Sequence, residues 1–169
     1  MTKKNRSRCV KVNKTKAVAQ KINEYKNKEF YGSNEDIHKI IDICKEHKFY
    51  VGWIVGKLKQ MKHNKSIHYI LRDWGFMIYA DYDVGKTIVL IDFLFILPEH
   101  RRQGVATKLL NILKNKDAIL LTIDLDNEIM MEFVKKQGFR RIARCRSGNE
   151  DLWAWSDKYD DEFIKKNLY

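Results

Sequence analysis

The spacing of apolar positions changes character along the chain, and each change marks a different kind of element. Residues 17–29 predict a weak helix and residues 34–47 a stronger one. In the latter, Ile37, Ile40, Ile41 and Cys44 recur at helical spacing behind Asn34, a suitable N-cap, with Glu35 and Asp36 in the first turn. Val51, Ile54, Val55, Leu58 and Met61 continue that spacing, so 50–61 predicts a helix weakened by Gly52 and Gly56. The period then shortens. Ile67–Leu71 and Phe76–Ala80 read as strands joined through Arg-Asp-Trp-Gly, and Asp83–Lys86 as a turn. Ile88–Leu97 is an apolar run interrupted by Asp92 and stopped by Pro98, which gives a three-strand meander ending in a central strand.

Beyond Pro98 helices and strands alternate. Gln103–Asn115 predicts a helix with Val105, Leu109, Ile112 and Leu113 on one face, widened by Ala106 and Leu110. Ala118–Ile123 is a strand of buried type. Asn127–Gln137 is a second helix, with Met130, Phe133 and Val134 inward and Gly138 as its stop. Phe139–Cys145 and Asp151–Trp155 are further strands, and Cys9–Val12 alternates as a short first one. With no repeat and no linker, the fold class is mixed α/β (α+β) in a single domain over 17–169.

Composition narrows the function classes. At 169 residues the chain is long enough for a sizeable core, and 44% hydrophobic and 12% aromatic residues exclude a wholly disordered chain. No run reaches the roughly 18 apolar residues of a membrane span, and the basic N-terminus lacks a signal-type apolar core. Cys9, Cys44 and Cys145 are odd in number and far apart, which fits a reducing cytoplasm better than a disulfide framework. The histidines form no metal-binding pattern, so no metal is expected. Lys plus Arg exceed Asp plus Glu by 33 − 22, a net charge of +11. That excess favours polyanions or phosphate-bearing ligands, and it equally suits lysines that only solvate the surface. Residues 1–16 hold Lys3, Lys4, Arg6, Arg8, Lys11, Lys14 and Lys16 and no acid. They are expected to form a mobile basic arm able to touch nucleic acid. The expected assembly is a monomer or a homodimer.

The segment richest in chemistry is Leu94–Leu110, a strand, a turn with Arg101, Arg102, Gln103 and Gly104, and a helix that starts at once. A helix N-terminus presents free N–H groups and partial positive charge, a site for anions. Gly104 lets backbone approach a phosphate and Ala106 keeps the next turn thin. These residues point to a pyrophosphate-type ligand. Neither a Walker loop nor a Gly-x-Gly-x-x-Gly fingerprint is present.

Arg101-Arg-Gln-Gly-Val-Ala106 resembles Arg/Gln-x-x-Gly-x-Gly/Ala, the acyl-CoA signature of the GNAT N-acetyltransferase superfamily. Asn127-Glu-Ile-Met-Met-Glu-Phe-Val-Lys-Lys-Gln-Gly-Phe139 resembles that family's second motif, and the resemblance covers about 76–146. It implies a twisted, mixed, mostly antiparallel sheet flanked by helices, with parallel strands 88–97 and 118–123 splayed around a pantetheine arm. It further implies acetyl-CoA or CoA as cofactor. Backbone groups of Phe95, Ile96 and Leu97 would bind the pantetheine. The N–H groups of Arg102, Gln103, Gly104, Val105, Ala106 and Thr107 would hold the pyrophosphate, with Arg101 adding charge. Asn127 would lie near the arm, unless it only caps its helix. Asp92, the charge in the apolar run, becomes the expected base that takes a proton from a primary amine. The acceptor would be a protein lysine or N-terminus, a small amine, an aminoacyl-tRNA or a modified base. The acids and tryptophans of 150–162 would suit a cationic amine. One departure stands out: the tyrosine that the family uses as general acid is Val134 here, leaving Tyr79, Tyr82 and Cys145 as alternatives. That departure also fits a nucleic-acid- or protein-binding module on a catalytically weak acetyltransferase scaffold.

Overall fold

The computed structural model describes residues 34–49, 51–61, 66–83 and 86–167. The basic arm 1–16, the strand at Cys9–Val12 and the helix over 17–29 lie outside the described residues. The chain divides between Asn64 and Lys65 into two compact units.

In the first unit, helix α1 spans Asn34–Glu46 and α2 spans Val51–Gln60. Ile37, Ile40, Ile41 and Cys44 form a buried stripe, as their spacing requires, and burial pushes the Cys44 thiol up to about 12. That thiol is therefore an inert hydrophobe at neutral pH. Lys48 takes a left-handed conformation (φ 60) where a glycine would be usual, and the Phe49 N–H returns to the Cys44 carbonyl at 2.9 Å, closing the helix. Gly52 and Gly56 do not stop α2, because Val51, Ile54, Val55 and Leu58 supply a buried face.

The second unit is a six-stranded sheet in the order β1-β2-β3-β4-β6-β5. Its strands are β1 (Ile67–Arg72), β2 (Gly75–Asp83), β3 (Thr87–Ile96), β4 (Ala118–Asp124), β5 (Arg140–Arg144) and β6 (Glu150–Trp155). Among the described residues, only β3 and β4 pair in parallel. Helices α3 (Val105–Leu113), α4 (Glu128–Lys136) and α5 (Asp161–Asn167) complete it. Alternation sorts the core into two layers. Val89, Ile91, Ile119, Leu121, Ile123 and Trp153 share one cluster with Leu109, Leu110 and Leu113 of α3 and Val134 of α4. Ile88, Ala118, Leu120, Leu152 and Ala154 share the other with Ile164 of α5. β4, with helices on both faces, is accordingly apolar at consecutive positions.

Two expectations change. Ile112, expected on the core face of α3, is 55% exposed. It lies about 100° of helix rotation from the Leu109, Leu110 and Leu113 stripe, and those leucines decide which side is buried. Several of the acids of 150–162, set out above as suited to a cationic amine, are instead engaged within the fold. Asp160 Oδ1 accepts from the Phe163 N–H at 2.8 Å, Arg140 donates to Asp161 at 2.7 Å, and α5 buries Ile164 completely. Among the described residues, no helix is long and apolar enough to cross a membrane, and no group of His, Cys, Asp and Glu could hold a metal.

Candidate functional site

β3 and β4 are paired only from Ile88 with Ala118 to Ile91 with Leu121. Both strands go on. β3 stays on β2 as far as Ile96 opposite Gly75, and β4 stays on β6 as far as Asp124 opposite Glu150. A cleft therefore opens in the middle of the sheet, with β3 from Asp92 on one side and β4 from Thr122 on the other. At its apex the β2–β3 register steps between Ile78 and Tyr79, which leaves Asp92 as the extra residue of a β-bulge. The step swaps the faces of β3. Val89 and Ile91 join the α3/α4 layer before it, and Leu94 and Ile96 after it. Phe93 and Phe95 turn the other way, onto Phe76, with ring centroids 5.2 and 6.1 Å apart. Asp92 itself is half-buried. Gly75 makes the close approach of β2 possible here, since a Cβ on it would stand 2.1 Å from the Phe95 carbonyl oxygen.

The turn after β3 is braced from within. Leu97 N–H donates to the Trp74 carbonyl at 3.0 Å, and Pro98–His100 form a single 3-10 turn. Arg101 Nε donates to the Ile96 carbonyl at 3.0 Å while its guanidinium lies 5.6 Å from the Phe95 ring centre. Gln103 Nε2 donates to the Glu99 carbonyl at 2.8 Å. Arg101 and Gln103 thus hold the loop, and the Ile96 carbonyl and Leu97 N–H are already engaged. Arg102 (φ 59) and Gly104 (φ 75) are both left-handed, and Arg102 is exposed. Left-handed backbone at a residue other than glycine is costly and concentrates at working sites.

Lys108 N–H is the first in α3 to find a helical acceptor, the Gly104 carbonyl at 3.0 Å. The N–H groups of Val105, Ala106 and Thr107 have no backbone acceptor among the described residues. α3 carries no acid in its first turn, and a Cβ placed on Gly104 would meet nothing within 4 Å. Unpaired donors, the helix dipole and open space above the turn fit a phosphate group.

On the far side of the cleft, Asn127 Oδ1 accepts from the Met130 N–H at 3.2 Å, so this side chain caps α4. Val134 is fully buried. Of its suggested substitutes, Tyr82 pairs with Ile88 at the opposite end of β3 from the cleft, and Cys145 packs on the opposite face from α4. Tyr79 lies opposite Ile91, beside the bulge, and burial followed by the nearby Asp81 charge pushes its hydroxyl above the ordinary range. Most of the acids of 150–162 serve the structure. Arg141 donates twice to Asp151, at 2.7 and 3.0 Å, and Arg144 once at 2.6 Å. The Arg141 hydrogen bonds lead in holding the Asp151 carboxyl below its usual range, against the effect of burial. Two features had no sequence signal. Thr122 Oγ1, next to the apex on β4, donates to Glu150 Oε1 at 3.3 Å. Trp153 Nε1 is buried with no hydrogen-bond partner among the described residues.

A family model described as acetyltransferase (GNAT) domain matches residues 64–141, the span that contains the meander, the cleft, the braced turn and α3 and α4. Over those residues the chain is similar to a GNAT acetyltransferase domain. A stretch of 60 residues is 43% identical to N-alpha-acetyltransferase 30 of Schizosaccharomyces pombe, spanning 32% of this chain and 40% of that protein. The domain's fold is shared with an acetyltransferase of Thermus thermophilus, 12% identical over 72% of this chain and 88% of that one, with a TM-score of 0.58. It is shared likewise with Arabidopsis thaliana NAA60 in complex with acetyl-CoA, 14% identical over 72% and 93% of the two chains, with a TM-score of 0.54.

Proposed function

We propose that this protein is an acetyl-CoA-dependent N-acetyltransferase acting on a primary amine. The observation that carries the reading is the parting of β3 and β4 beside a left-handed turn whose N–H groups are free to hold an anion. The N–H groups of Arg102 to Thr107 bind the pyrophosphate, with Arg101 and Gln103 as internal braces. The β3 edge over Phe95–Leu97 lines the pantetheine arm, and Asn127 fixes the start of α4 beside it. Acetyl-CoA supplies an activated acetyl thioester. Asp92, in the bulge at the apex, takes the proton from the incoming amine. The local identity to an N-alpha-acetyltransferase makes a peptide N-terminus the first acceptor to test, ahead of lysine, small amines, aminoacyl-tRNA and modified bases. A cytoplasmic location and contact of the basic arm with nucleic acid belong to the same reading.

Calorimetry with CoA and acetyl-CoA, followed by mass spectrometry of peptides and polyamines incubated with acetyl-CoA, tests it. Micromolar binding and acetylated product are expected. The buried Val134 favours a second reading, a binding module on this scaffold. That module would take up nucleic acid with steep salt dependence and form no acetylated product.

A further inference from the structure

Trp153 is 2% exposed, and its indole N–H has no hydrogen-bond acceptor among the described residues. A buried donor left unpaired costs about 1–3 kcal/mol, so its retention calls for an explanation. Its position supplies one. Trp153 is the cross-strand partner of Leu121, and Leu121 is the last β4 residue paired to β3 before the cleft. Trp153 shares its apolar cluster with Val134, and Lys135 Nζ of the same helical turn lies 5.6 Å from its ring centre. The indole is therefore rooted level with the apex, on the α3/α4 face, beside a turn of α4 whose inward side chain is purely apolar.

Acyl transfer from a thioester needs a polar group where sulfur gains charge. The amine nitrogen bonds to the acetyl carbon, the carbon–sulfur bond breaks, and its electron pair stays on sulfur. The amine's proton passes to Asp92 or water, and the thiolate later takes one from solvent. Amine plus thioester thus gives amide plus thiol. Val134 contributes nothing to the sulfur. We propose that Trp153 Nε1–H is the donor that stabilises the charge developing on sulfur as the thiolate departs. An indole N–H is too weak an acid to transfer its proton, so it acts by charge stabilisation alone. The inference rests on the acetyl-CoA reading above.

The test compares CoA with its desulfo analogue, in which hydrogen replaces the thiol, on the unaltered protein and on Trp153→Phe. Three results are expected of the unaltered protein: CoA binds more tightly than the analogue, the bound thiol titrates below its free value, and the Trp153 indole N–H resonance moves with CoA but not with the analogue. In Trp153→Phe the preference and the thiol shift disappear. Acetyl-CoA affinity there stays close to that of the unaltered protein, and turnover falls by about 10²-fold. Lys135→Gln removes the cation beside the ring and leaves the preference for CoA intact. The resonance measurement needs no variant, so it decides the matter even where Trp153→Phe folds poorly. CoA binding with no preference over the analogue and an unmoved indole resonance overturns the role of Trp153 alone. Absence of any CoA binding overturns both this inference and the proposed function.

Discussion

At the scale of single residues, Asp92, Gly104 and Gly75 carry different burdens. Asp92→Asn is nearly isosteric and keeps the bulge, but the amide cannot accept the amine's proton. Turnover is expected to drop by about 10²–10⁴-fold with acetyl-CoA affinity unchanged. The loss should be largest at low pH, where the amine is most protonated, and should shrink toward the alkaline end. Rates from about pH 6 to 10, spanning carboxylate to amine titration, check this, and unaltered turnover throughout would remove Asp92 from the mechanism. Gly104 sits at φ 75 with open space above it. Gly104→Val therefore strains the backbone and fills the space that the proposed function gives to the phosphate, and it should abolish CoA binding in calorimetry while the fold survives. Gly75 differs because its missing Cβ makes room for β3. Gly75→Ala would press on the Phe95 carbonyl at 2.1 Å and is expected to destabilise by about 1–3 kcal/mol, read from urea unfolding.

At the scale of elements, α5 shows how a marginal helix is held by its context. Seven residues are too few to be helical alone. The helix exists because Asp160 caps it, Arg140 ties Asp161 to β5, and Ile164 enters the core. Ile164→Ala should cost about 2–5 kcal/mol in urea unfolding, the range for deleting buried methyl groups. Proteolysis should then cut first within 157–167. An equal cleavage rate in both proteins would show that the two exposed polar contacts suffice. α3 teaches a related lesson. Its start is set by Gly104 at φ 75 rather than by the apolar stripe, so the helix begins two residues later than its pattern suggests, and those residues become part of the turn after β3.

For the molecule as a whole, two carboxylates make stability depend on acid. Arg141 leads in lowering the Asp151 carboxyl, and the Lys158 hydrogen bond, followed by that from the Thr87 backbone, leads for Asp117. A carboxyl whose folded value lies below its unfolded value of about 3.9 adds stability that is complete above that value. This stability is lost as pH falls through the lower folded value. Urea midpoints should therefore be level from about pH 5 to 8 and fall steeply below about 4. In Asp151→Asn the acid-side slope should be shallower, and an unchanged slope would assign the dependence to other groups. Lys158, raised first by its hydrogen bond to Asp117, gives the opposite sign at the alkaline end: its contribution is present below the unfolded value and fades as pH rises through the higher folded one.

The order of elements, the two helix faces with Leu109 and Val134, the turn from Arg101 to Ala106 and the charge at Asp92 were all legible along the chain, because each depends on neighbours within a few residues. Helical and strand periods, a capping Asn127 and a glycine suited to left-handed backbone are local matters. Where the strands part, and what faces the gap, depends on residues far apart in sequence. The pairing of β3 with β4 stops at Ile91 and Leu121 because each strand keeps its outer partner, β2 or β6, and the sheet must open between them. The bulge at Asp92 needed β2 in register to appear. Thr122 met Glu150, and Trp153 came level with the apex beside Val134, only when β6 paired with β4. Asp151 and Asp161 looked available along the chain and proved engaged with arginines of β5. Local pattern determined which segments are helix or strand; long-range pairing decided which polar groups are buried, partnered or left without a partner among the described residues.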